Sequence, residues 1–115
     1  MDGEIGNDEL EALIQADDAR VVDIRSPAAF ERGHIPDSEN VPFPSLVDRV
    51  EQFDDADRVV TVCPKGQSSV QAARLIASYE GFDGRVESFA PGLSGYEGSL
   101  EATEQSTDEG PGAPF

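Results

Sequence analysis

The feature that most constrains this chain is a set of three short β-branched runs set apart by segments of helical period. Arg20–Ile24 reads RVVDI, Arg58–Val62 reads RVVTV and Arg85–Phe89 reads RVESF. The first two carry apolar residues at consecutive positions, the pattern of strands buried on both faces. Strands that alternate with helical segments give an α/β layer structure with a parallel sheet. The helices are marked by their ends. Asp8 and Glu11 have the spacing of a capping box ahead of Leu10, Leu13 and Ile14. Ser26 before Pro27 reads as an N-cap with proline at the first helical position, predicting a helix over Pro27–Glu31. Leu46, Val47 and Val50 support a short helix over Ser45–Val50. Ala72, Leu75, Ile76 and Tyr79 share one face of a further helix that Gly81 should stop. Weak strands are expected near Gly3–Ile5 and Glu39–Val41. The architecture expected is α/β, a mainly parallel sheet of about five strands with helices on both faces.

Size and charge bound the function. A chain of 115 residues is one small domain, here placed at residues 1–97. Residues 98–115, rich in Gly, Ser, Pro and Glu and free of basic side chains, are expected to be an acidic tail without fixed structure. Twenty-four acidic against eight basic residues leave a net charge of −16. That balance argues against DNA and RNA, whose phosphates need a basic footprint, and against an anionic membrane surface. No apolar stretch approaches the roughly 18 residues of a spanning helix, and the acidic start is no signal peptide, so a cytoplasmic protein is expected. Seven of the eight cations are arginine. A carboxylate-rich surface with one lysine predicts a halophilic protein, since at about 1 M salt the Debye length is only about 3 Å.

The only cysteine and the only lysine, Cys63 and Lys65, lie two positions apart where the clearest strand runs out. The segment Cys63-Pro64-Lys65-Gly66-Gln67-Ser68-Ser69 leads into the strongest helical pattern. In open α/β sheets ligands bind beyond the carboxyl ends of strands, where loops enter helix N-termini. Amides around a Gly-bearing loop, with the helix dipole, stabilise an anion, and a thiol held among them is drawn toward thiolate. One cysteine and one histidine, Cys63 and His34, make neither a disulfide nor a zinc cage, and no metal or cofactor is expected. A free cysteine at a strand end is also commonly just a small buried hydrophobe. A phosphatase loop would place an arginine six positions after its cysteine; that position is Ser69, and the first arginine beyond Cys63 is Arg74.

Several segments together resemble the rhodanese-like domain family. Val22-Asp23-Ile24-Arg25, Phe30-Glu31-Arg32-Gly33-His34-Ile35-Pro36 and Asn40-Val41-Pro42 look like its first half. The Cys63–Ser69 loop, the following helix and Pro91-Gly92-Leu93-Ser94-Gly95-Tyr96 match its second. The resemblance covers roughly residues 4–97 and implies a sulfurtransferase in which Cys63 is catalytic and carries sulfane sulfur as a persulfide. The sulfur would come from a small donor such as thiosulfate or from a persulfide-carrying protein, and would pass to a thiol acceptor. Pro64, Lys65, Gly66, Gln67, Ser68 and Ser69 would form the persulfide-binding loop. Asp23 and Arg25 would support it, and His34 and Asn40 would serve turns. The chain departs from the family pattern at Ser68, which holds the place of a loop arginine, at Asp37-Ser38, usually Gly-Ala, and at Tyr96, usually tryptophan. Two other readings stand beside this one: a catalytically weak or inactive partner-binding module on the same fold, and a thiol redox or arsenate-reducing protein that relies on an external thiol.

Overall fold

The structure, a computed structural model, describes residues 2–102. Five parallel strands form one sheet in the order β1-β5-β4-β2-β3: β1 Glu4–Ile5, β2 Arg20–Asp23, β3 Glu39–Asn40, β4 Arg58–Val62 and β5 Arg85–Phe89. Parallel neighbours need crossover connections, and the helical segments supply them. These are α1 (Asn7–Ala16), α2 (Pro27–Arg32), α3 (Phe43–Arg49), which runs into a 3-10 turn at Val50–Phe53, and α4 (Ser68–Ser78). The α/β architecture read from the strand runs is the one found.

The pleat splits the apolar strand residues between two cores. Val22, Val59 and Val86 face α3, the 3-10 turn and α4, packing with Leu46, Phe53, Ala72, Ala73 and Ile76. Val21, Val60, Val62 and Phe89 face the other way, toward Leu10 and Leu13 of α1 and toward Ile35. Cys63 follows Val59 and Thr61 at the two-residue period and so falls on the α4 side. Ser88 pairs across the sheet with Thr61, which carries it to the same side. The consecutive valines of the sequence are thus explained: each strand is covered twice.

Local boundaries differ from the sequence reading most at three helices. Helix α1 starts at Asn7, and its N-cap is Gly6 with no side-chain cap. Asn7 is instead tied to the distant 95–97 segment, accepting from Glu97 N (2.9 Å) and donating to Gly95 O (3.0 Å). Asp8 sits in the first turn, where its charge suits the helix dipole. Helix α3 begins at Phe43, with Pro44 in its first turn, rather than at Ser45. Helix α4 ends at Ser78; Tyr79 is already extended, and the chain turns there through a Phe82 N to Tyr79 O bond (3.0 Å) that brings Phe82 into the core. The Ser26 cap holds, with Ser26 Oγ accepting from Ala29 N at 3.3 Å.

The chain goes on making contacts beyond residue 97. His34 and Glu101 exchange two backbone hydrogen bonds of 2.8 Å, and the Leu100 side chain lies over Gly33. Most of the expected unstructured tail, residues 103–115, lies outside the described residues.

Candidate active site

Chain order reverses between the two central strands. From β2 the chain moves outward to β3, whereas from β4 it moves the opposite way to β5. The carboxyl ends of β2 and β4 therefore diverge and leave a crevice, the place where open α/β sheets hold ligands. A pocket of about 330 Å³ lies there, lined by Ile24, Arg25, Ser26 and Ala29 from the β2–α2 side, by Phe43, and by Cys63, Pro64 and Ser68 from the β4–α4 side.

Cys63 lies at the floor of this pocket with 1% of its surface exposed. The Gly66 N–H donates to Sγ at 3.0 Å, and the Ser69 hydroxyl lies 3.3 Å from it. Burial pushes the thiol pKa up. The Ser69 hydroxyl and the amides of Ser69, Lys65 and Gly66 push it down by more, so the net result lies below the ordinary thiol value. Donors fixed around a sulfur at a helix N-terminus favour the thiolate over the thiol.

Glycine is required where the loop folds back on itself. Gly66 has φ +84°, and a Cβ there would collide with the carbonyl oxygen of Ala90 and stand 3.0 Å from its carbonyl carbon. Gly92, at φ +69°, lies against the loop from the other side, where a Cβ would come within 2.6 Å of Lys65 Cα and Gly66 N. The Pro91–Ser94 turn also clamps the base of the loop, through Leu93 N to Cys63 O (2.8 Å) and Ser94 N to Pro64 O (3.0 Å). The Pro-Gly-Leu-Ser segment is therefore the platform under the thiol loop.

Asp23 and Arg25 build the facing wall. Arg25 grips the buried Asp23 carboxylate through Nε and Nη2 at 2.8 to 3.1 Å, and Nη2 also donates to Gly33 O at 2.7 Å. Asn40 Nδ2 donates to the carbonyls of Asp23 and Arg25, at 3.1 and 3.0 Å. Their hydrogen bonds hold the β2–α2 turn, and Arg25 reaches the pocket lining. His34 is buried and stacked on Phe30, with Nδ1 2.7 Å from Phe30 O, away from the pocket lining.

Of the loop residues singled out in the sequence, Cys63, Pro64 and Ser68 line the pocket, while Gly66 and Ser69 hold the sulfur from below. Lys65 and Gln67 are exposed and lie outside the lining; Lys65 contributes its amide to the thiol. Sequence reasoning missed Ser26, Ala29 and Phe43 on the wall, and Ser88, whose hydroxyl is 2.6 Å from Ser69 Oγ. Only Ser88 left a signal: a polar residue inside an otherwise strand-like run.

A doubly covered parallel sheet, a thiol cupped by loop amides at its switch point and a glycine-locked turn beneath define a small α/β domain with an anion-stabilising cysteine site. The chain belongs to the rhodanese-like domain family, whose model matches residues 6–102. It is similar to the thiosulfate sulfurtransferase GlpE of Pseudomonas syringae, with 41% identity over 64 residues, a match that spans 56% of this chain and 59% of that relative. Among solved structures, the SSP1007 protein of Staphylococcus saprophyticus superimposes with a TM-score of 0.73 at 27% identity, covering 86% of this chain and 98% of that one. A rhodanese-like domain protein of Staphylococcus aureus gives 0.74 at 24% identity, with 89% and 99% covered.

Proposed function

We propose that this domain is a sulfurtransferase in which Cys63 carries sulfane sulfur as a persulfide between a donor and a thiol acceptor. The observation that carries the reading is the convergence of a hydroxyl and loop amides on a single pocket-floor sulfur, at a helix N-terminus. The similarity to a thiosulfate sulfurtransferase supports the same chemistry.

The Cys63 thiolate attacks the outer sulfur of the donor. A bond forms between Sγ and that sulfur, and the bond from the outer sulfur to the rest of the donor breaks. The departing group, sulfite from thiosulfate or a thiolate from a persulfide, leaves with the electron pair. The new terminal sulfur carries the negative charge, and the loop amides and helix dipole that stabilise the thiolate stabilise it in turn. An acceptor thiolate then attacks the terminal sulfur, the bond to Sγ breaks, and Cys63 returns as thiolate.

The lining argues for the kind of donor. Ile24, Ala29, Phe43 and Pro64 are apolar, Arg25 is committed to Asp23 and Gly33, and Ser68 supplies no charge. A reactive end that carries two charges finds little to offset its desolvation there. A thiol persulfide, with less charge at its reactive end, suits the pocket better than thiosulfate.

Intact mass after incubation with a donor tests the reading. One added sulfur is expected on the wild-type chain and none on Cys63→Ala, and glutathione persulfide should load faster than thiosulfate in molar salt. No added sulfur from either donor would refute the function. Faster loading by thiosulfate would refute the donor preference alone.

A further inference from the structure

Beneath Cys63 lies a polar pair that the transfer chemistry leaves unused. Ser88, the last residue but one of strand β5, is fully buried. Among the described residues, its hydroxyl has one hydrogen-bonding partner, Ser69 Oγ at 2.6 Å. Ser69, also fully buried, has as its other side-chain partner Cys63 Sγ at 3.3 Å. The three groups form a line from β5 to the pocket floor.

The line has a preferred direction. A hydroxyl has one proton to donate and two lone pairs to accept with. If Ser69 donated to Ser88, the Ser88 proton would be buried without an acceptor, an arrangement native interiors avoid. If Ser88 donates to Ser69, the Ser69 proton is left to donate to Sγ, and both hydroxyl protons are used. The second arrangement also polarises the Ser69 O–H by the bond it accepts, strengthening the bond it donates.

We propose that Ser88 is a positioning residue of the active site: by donating to Ser69 Oγ it locks the Ser69 hydroxyl proton onto Cys63 Sγ and holds the sulfur as an anion. The pleat makes this arrangement available. Thr61 and Ser88 are register partners on the α4 side, and Thr61 Oγ1 donates to Ser69 O at 2.7 Å, pinning the first turn of α4 above Ser88. The charged side chains on the surrounding elements, Asp23 and Arg25 after β2, Lys65 in the loop, Arg74 on α4 and Glu87 on β5, are not among the hydrogen-bond partners of Sγ. The sulfur is therefore governed by neutral donors whose orientation matters. The inference rests on the reading that Cys63 works as a thiolate.

The test is the acidity of Cys63, measured from the pH dependence of iodoacetamide alkylation in the wild type, Ser69→Ala, Ser88→Ala, the double variant and Ser88→Thr. Ser69→Ala should raise the thiol pKa by about one unit, the loss of one hydrogen bond to a charged group. Ser88→Ala should raise it by a few tenths of a unit, the cooperative share of that bond. The Ser88 effect should vanish in the Ser69→Ala background, and Ser88→Thr, which keeps a hydroxyl, should behave as wild type. An unchanged value in Ser88→Ala, or the same shift in both backgrounds, would overturn the proposal, since a merely structural loss is indifferent to Ser69. A measurement on the wild-type chain covers the case in which Ser88→Ala does not fold: the ¹³Cβ resonances of Ser69 and Ser88 should both titrate with Cys63, and a flat Ser88 signal would refute the coupling. No sulfur donor enters these experiments, so failure of the relay and failure of sulfur transfer are read separately.

Discussion

Replacing Gly66 by alanine tests the physical basis of the site most directly. The backbone there has φ +84°, and the added Cβ would lie against the Ala90 carbonyl, 3.0 Å from its carbon. Ordinary carbon–carbon contact is about 3.5–4.0 Å and the Ala90 carbonyl oxygen lies closer still, so the loop must retreat by about 1 Å or more. The Gly66 N–H now donates to Sγ at 3.0 Å, and a retreat of that size takes it beyond useful hydrogen-bonding distance. A hydrogen bond to a charged group contributes about 1.5–3 kcal/mol. With sulfur a weak acceptor the lower end applies, which is about one pKa unit upward for the thiol. Below both pKa values a one-unit rise cuts the thiolate about tenfold. Intrinsic nucleophilicity recovers part of that at a Brønsted slope of about 0.4–0.5, for a net alkylation rate about three- to fourfold slower. The left-handed backbone adds strain of about 1–3 kcal/mol, which in a domain of this size lowers Tm by roughly 4–8 °C per kcal/mol. Iodoacetamide alkylation against pH and a thermal melt measure both effects. Gly6→Ala is the control, since a Cβ at Gly6 meets nothing within 4 Å. If Gly66→Ala keeps the wild-type thiol pKa, the loop amide is not what stabilises the sulfur, and the electrostatic account of the site is wrong.

Three other outcomes are expected. Arg25→Ala strips the buried Asp23 of its charged partner and should cost about 3–5 kcal/mol in urea denaturation; a loss under about 1 kcal/mol would refute the role of that pair in holding the wall. Glu87 is pushed up by burial but brought below its ordinary pKa by hydrogen bonds from Arg58 and Arg85. Its stabilisation is therefore complete above the unfolded value of about 4.3 and is lost as pH falls through the lower folded value, so Glu87→Gln should flatten the acid limb of the stability curve, and an unchanged limb would contradict it. With a net charge of −16, the wild type should melt higher in molar salt than in dilute buffer, and equal melting temperatures would refute the halophilic reading of the composition.

How legible the fold was follows from how local its causes are. The run RVVTV became β4 at the expected residues, because a strand buried on both faces writes its burial into consecutive apolar positions; RVESF became β5 at the expected residues too, although Glu87 and Ser88 interrupt its apolar pattern. The Ser26-Pro27 cap was equally legible, since its partners lie within one turn. The Asp8 capping box failed for the opposite reason. Asn7 is held by Glu97 N and Gly95 O, about ninety residues away in sequence, and that tie sets where α1 begins. Tyr79 left the expected helix because the chain turns there to bury Phe82, a choice made by the core.

The candidate site divides the same way. A cysteine at the end of a buried strand, a glycine three residues on and the start of a helix behind them are all contained in seven consecutive residues. Strand-to-helix geometry makes those residues an anion cradle wherever the segment folds. The sequence alone therefore determined the thiol, its loop and the direction of the helix. Which side chains stand across from the sulfur was settled only by the crossovers, which bring Phe43 and Ala29 to its rim and leave the Lys65 side chain outside the pocket. Ser88 comes to lie beneath it through the strand register, which pairs residue 88 with residue 61. Backbone donors belong to their own segment and travel with it, whereas side-chain partners depend on how distant segments stack.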